Sequence, residues 1–154
     1  MTYTSDEGRR ELLEATAEAA ETIGRALAAL GEAYELLDDD AADRLEAQLF
    51  GPLQAAYGRA RRGHAEFAAR HRLAPHAFAA GTAARAHGST DATSYMEQAL
   101  EAAEHADDIL SELQDSLLPV EVGDPELRAS IADVRTRLGD IPPRAHELLR
   151  TLGR

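Results

Sequence analysis

The 154-residue chain contains no cysteine, no lysine, no asparagine and no tryptophan. The missing cysteine excludes disulfides and thiol chemistry. The missing lysine excludes a Schiff-base nucleophile, and it leaves arginine to supply all sixteen basic side chains. Such Ala- and Arg-rich, lysine-free usage resembles that of high-GC genomes. No run of about 18 apolar residues occurs, so no membrane-spanning helix is expected. The opening MTYTSDEGRR is polar and acidic with no apolar stretch behind it. No signal peptide is expected, and the expected location is the cytoplasm. Glycine-rich phosphate loops, G-x-S-x-G and the i, i+4 histidine pair of zincins are also missing. A histidine phosphotransfer bundle would place a lysine shortly after its exposed histidine, whereas His64 is followed by AEFAA.

Charge is abundant but uneven. The net charge is −12, which opposes general binding to nucleic-acid phosphates. Residues 1–56 hold 13 acids against 4 arginines, and residues 89–124 hold 10 acids and no arginine. Residues 57–88 reverse the sign, with 6 arginines against 1 acid. One chain of this length is expected to form one domain, 1–154, with enough core to need no covalent staples.

Hydrophobic periodicity predicts an all-α, antiparallel bundle of four main helices, at about 7–38, 41–72, 93–118 and 125–151. In the first, Leu12, Ala19, Ala26 and Ala33 form one heptad column. Thr16, Ile23, Leu30 and Leu37 form a second; Leu13, Ala20, Leu27 and Tyr34 form a third. Three adjacent columns suit a bundle core better than a two-stranded seam. The aspartates of LLDDDAAD end this helix, with Asp40 expected to cap the next. Gly51-Pro52 is expected to kink the second helix. A short extra helix is expected near 75–86, behind Pro75, within a long connection that is either an ordered crossing piece or a mobile flap. Ser94 and Glu97 fit a capping box opening the third helix. A loop, PVEVG, is expected after Leu118. Asp124-Pro125 should cap and start the fourth helix, which Gly139 to Pro143 should kink without loss of heptad phase.

The third helix carries Glu97, Glu101, Glu104, His105, Asp108 and Glu112 on one face. At 100° per residue that face lies opposite Met96, Ala99, Ala103, Ala106, Leu110, Leu113 and Leu117. Inward-facing carboxylates of a di-iron bundle are therefore not expected; these acids read as a solvated face. Asp107 sits at the core edge and should pair with an arginine of the second or fourth helix.

The remaining chemistry lies in GRARRGHAEFAARHR (58–72). Arg59, Arg61, Arg62, Arg70 and Arg72 can clamp phosphate or carboxylate groups, with His64 and His71 among them. The competing expectation is intramolecular: rim ion pairs with the acidic first and third helices. His64 and His71 lie about 10 Å apart along a helix, too far to share a metal unaided. No metal ligands and no cofactor are expected. The leading expectation is a non-enzymatic adaptor, regulator or scaffold. It would engage an acidic or anionic protein partner, or a second copy of itself, through Arg59, Arg61, Arg62, His64, Arg70, His71 and Arg72, with neither nucleic acid nor membrane as target. A second expectation is a small-molecule pocket between helices, lined by Tyr57, Phe67, Phe78 and Tyr95. A metal-dependent bundle enzyme is a third and weaker one.

Overall fold

Helix α1 runs from Ser5 to Glu35 and ends three residues before the predicted boundary. Its first two heptad columns are buried except for half-buried Leu37. In the third, Ala20 is fully buried, Leu13 and Leu27 are half-buried and Tyr34 is exposed, so the apolar stripe is narrower than its sequence suggests. The computed structural model describes residues 5–79 and 91–152, and every regular element among them is helical.

Asp38, not Asp40, caps helix α2 (Asp39–Leu45), accepting the Ala41 amide at 2.8 Å. The predicted kink takes the form of a π-helical turn over Glu46–Phe50, after which α3 runs from Gly51 to Arg70. The cause is local. Pro52 has no N–H for the preceding turn and crowds its carbonyls. The widened turn closes through the Gly51 amide on the Glu46 carbonyl, an approach that a side chain at Gly51 would crowd at 3.3 Å. The apolar face Ala42, Leu45, Leu49, Leu53, Ala56, Ala60 and Phe67 remains buried through the turn.

Helix α3 ends in a Schellman motif. Arg72 adopts a left-handed conformation (φ 55°) while the Leu73 amide bonds Ala68 O at 2.8 Å and the Arg72 amide bonds Ala69 O at 3.3 Å. Residues 73–79 then form no regular element. The short helix expected near 75–86 is therefore not present at its described start, where residues 75–79 form no helical turn. The rest of it lies outside the described residues.

Helix α4 (Ala92–Asp115) is capped by Asp91, which accepts the Ser94 amide at 2.7 Å. The expected Ser94 cap is superseded because the Asp91 carboxylate captures that amide one turn earlier and suits the positive helix end. The expected PVEVG loop is largely a helical turn, α5 (Leu118–Val122). Pro119 preorganises its first turn, and Leu117 enters it in a left-handed conformation with its side chain 59% exposed rather than in the core. Asp124 caps α6 (Pro125–Gly139), accepting the Leu127 amide at 2.8 Å. After Asp140, α7 (Ile141–Leu152) follows. Leu127, Ile131, Val134, Leu138, Ile141, Ala145 and Leu148 are all buried, so heptad phase survives the break.

Side-chain contacts define the packing order. Helix α1 runs antiparallel to α3, with Thr16 against His64 and Gly24 against Tyr57. Helices α3 and α6 are antiparallel, with Arg70 on Asp124, Gly63 on Ser130 and Arg59 on Asp133. Helix α4 packs most extensively on α1 and also lies against α6. The bundle therefore runs up, down, down, up, with α3 and α4 on one diagonal. Residues 73–79 turn back against α3, where the His76 amide and the Phe78 ring both meet His64.

Candidate functional site

The returning segment and α3 enclose an open cleft of about 790 Å³. From α3 come Gly58, Arg59, Arg61, Arg62 and Ala65; from the segment come Pro75, His76, Ala77 and Phe78; from α6 comes Arg137. The sequence places three of these arginines within one helical turn, about 4.5 Å of axis.

The arginines are held in different ways. Arg59 and Arg137 share one carboxylate, Asp133, at 3.2 and 3.3 Å. Arg61 lies over two rings, 5.3 Å from the Tyr57 centroid and 5.5 Å from that of Phe78. Ring faces attract a guanidinium without cancelling its charge. Arg61 and Arg62 have no acidic partner among the described residues. Four arginines thus line the cleft, and one carboxylate, Asp133, pairs with two of them.

One wall is held in place from inside the bundle. His64 is 1% exposed, yet both of its ring nitrogens are used. Nε2 accepts the His76 amide at 3.0 Å, which makes Nε2 the unprotonated nitrogen. Nδ1 then carries the hydrogen and donates to Thr16 Oγ1 at 2.8 Å, while Thr16 donates to Leu12 O at 2.8 Å. Burial, and secondarily the neighbouring His76, lower the His64 pKa below its ordinary 6.5 and keep the ring neutral. The His76 ring bonds Glu21 of α1, and Phe78 sits edge-on to both His64 and His76, at 5.4 and 4.8 Å.

Other residues singled out by sequence serve inside the fold. Arg70 and His71 both grip buried Asp124, at 2.8 and 2.7 Å, and Arg70 also reaches Glu126 at 2.9 Å. Burial alone would raise the Asp124 pKa. The hydrogen bonds from Arg70, the Leu127 amide and His71 outweigh it and hold the carboxyl below its ordinary 3.8. Arg72 is exposed at the end of α3, away from the residues that line the cleft. Of the four aromatics expected to line a pocket, Phe78 lines the cleft and Tyr57 flanks it beneath Arg61. Phe67 and Tyr95 are core residues, 0% and 7% exposed. The gap between the helices near Thr16, His64 and Val134 is about 10 Å³, room for roughly one water. His87 lies outside the described residues.

The expected rim pairing also has a different geometry. Arginines of α3 pair with α6 acids, at Asp124, Glu126 and Asp133, rather than with acids of the first and third long helices. Helix α4 lies diagonally across from α3, so its acids cannot reach. They stay exposed on the far face. Asp107 meets Arg135 at 2.9 Å, as expected of a core-edge aspartate. Among the described residues, no three or more His, Asp and Glu side chains are grouped so as to hold a metal ion, and no helix is long and apolar enough to cross a membrane.

Sequence reasoning missed Arg137, Asp133 and the anchoring role of Thr16. Thr16 did carry a signal: a hydroxyl in a buried heptad column needs a partner. Arg137 carried none, because only the α3–α6 contact brings it to the cleft. Comparison with family models, with curated proteins and with solved structures finds no match for this chain.

Proposed function

We propose that the protein works by binding rather than by catalysis. It is a cytoplasmic adaptor, regulator or scaffold that engages an acidic or anionic protein partner through the arginine cleft. The observation that carries this reading is the charge imbalance there. Arg59, Arg61, Arg62 and Arg137 converge on a concave surface with Asp133 as their one paired acid among the described residues, on a chain whose net charge is −12. Elsewhere in the basic segment Arg70 and His71 have internal work on Asp124. Arg61 and Arg62 do not, and arginine presents a planar fork of donors suited to oxyanions.

The test is charge reversal. The Arg61→Glu/Arg62→Glu variant should keep the wild-type circular dichroism spectrum and melting temperature, since both residues are exposed. It should lose the partner captured by the wild-type protein from a lysate of its source and then measured with the purified pair. Capture that is unchanged by the reversal would remove the cleft from the partner interface.

A further inference from the structure

We infer that the anionic group this cleft receives is a phosphomonoester carried on an apolar body, rather than a run of carboxylates. The inference rests on the reading of the cleft as an anion site and specifies its ligand chemistry.

Two features favour it. The first is compactness. Arg59, Arg61 and Arg62 occupy one turn of α3, and Arg137 is tied to Arg59 through their common Asp133. All four line one cleft, and the two without an acidic partner among the described residues, Arg61 and Arg62, are neighbours on α3. A single carboxylate brings one negative charge. Successive carboxylates on an extended partner alternate sides and lie at least about 3.3 Å apart per residue, so few would enter together. A phosphomonoester brings about −1.5 to −2 at neutral pH and three acceptor oxygens on one atom, enough to be shared by several forked donors.

The second feature is the surrounding surface. Ala65, Pro75, Ala77 and Phe78 line the same cleft as the arginines. Phe78 is half-buried, braced edge-on by His64 and His76, and it also carries Arg61 over its ring. A phosphate bound at Arg61 is therefore adjacent to an apolar, aromatic wall. At about 790 Å³ the cleft has space for the group that bears the phosphate. Inorganic phosphate alone would leave that wall without a role.

Titration calorimetry on the full chain at low salt tests this, with phenyl phosphate, inorganic phosphate, benzoate and a hexaglutamate peptide as probes. Phenyl phosphate should bind roughly tenfold or more tightly than benzoate, through its added charge and acceptors. It should exceed inorganic phosphate by several-fold, on the order of one aromatic contact. Arg61→Gln should weaken phenyl phosphate by about tenfold. Phe78→Ala should abolish the preference for phenyl phosphate over inorganic phosphate. Hexaglutamate or benzoate binding as tightly as phenyl phosphate would overturn the phosphomonoester and leave the anionic-partner reading intact. Equal affinity for inorganic and phenyl phosphate would overturn the apolar body. Affinities no higher than those of a folded Arg61→Glu/Arg62→Glu variant, for all four probes, would overturn both readings.

Discussion

At the residue scale, Gly63 sets how closely α3 and α6 approach. A Cβ there would lie 2.0 Å from Ser130 Oγ, which must shift, and 3.0 Å from Ser130 Cβ, a contact tighter than side chains usually make. The hydroxyl can rotate away, but the Cβ can move only with the backbone of α6. Gly63→Ala gains helix propensity of roughly 1 kcal/mol and suffers overpacking of roughly 1–3 kcal/mol. The net result expected is a lower melting temperature by circular dichroism. Ser130→Gly in the same chain should recover part of the loss, because it empties the space the new methyl needs. If Gly63→Ala alone melts at or above the wild-type temperature, α3 and α6 are not held at this separation. Because Arg59 and Arg137 reach the cleft from these two helices, the same close approach brings their guanidinium groups onto one aspartate.

At the element scale, the segment 73–79 has no helical hydrogen bonds of its own and depends on its anchors. The main one is the His76 amide on His64 Nε2. Titratable and charged groups around His64 come from three elements: His76 on the segment, Glu21 of α1 bonded to that ring, and Arg61 of α3 beneath Phe78. The sign of the pH effect follows from the lowered His64 pKa. The folded chain binds this proton less readily than the unfolded chain, whose histidine titrates at its ordinary 6.5. The contribution to stability is complete above 6.5 and declines as pH falls below it, at a slope no steeper than about 1.4 kcal/mol per pH unit for one proton. Protonation of Nε2 also removes the acceptor for the His76 amide. Urea unfolding at pH about 7.5 and about 5.5, with hydrogen exchange at His76, should show lower stability and a lower protection factor in acid. His64→Gln should flatten this dependence; an unaltered slope in that variant would assign it elsewhere. Asp124 has the same sign in a lower window, since its carboxyl titrates below the ordinary 3.8 and its stabilising contacts are lost as pH falls through that range.

At the scale of the whole molecule, the charge pattern separates into a solvated acidic face on α4 and a cationic cleft on the α3–α6 side. An acidic partner meets long-range repulsion from a chain of charge −12 and short-range attraction from the cleft. Salt screens both over a Debye length of about 10 Å at 0.1 M, but exposed pairs formed at the cleft are the ones that set affinity. Partner affinity should therefore fall steadily between about 50 and 300 mM salt, mostly through faster dissociation. Surface plasmon resonance across a salt series reads both rates. Affinity that rises with salt would indicate an apolar interface and argue against the arginines.

The sequence by itself determined the helical class, the four long helical stretches, the buried columns and the outward acids of α4. Each follows from a local period that repeats over many turns, so small errors at the ends do not accumulate. It also located the basic segment and the kink at Gly51-Pro52, because charge and proline act where they stand. Caps were less legible. In both LLDDDAAD and STDATSYM several adjacent residues can accept an amide, and the choice between them depends on where packing starts the helix. Tertiary structure alone decided which helix faces which. The diagonal placement of α3 and α4 turned the arginines toward α6 acids, assigned Arg70 and His71 to Asp124, and brought Arg137 into the cleft. It also buried Phe67 and Tyr95, which local patterning could not tell from pocket residues, because an aromatic at a helix edge is core or lining according to the neighbour that covers it. Those outcomes depend on contacts between residues about 50 or more positions apart, as with Thr16 and His64 or Arg70 and Asp124, and no local period encodes them.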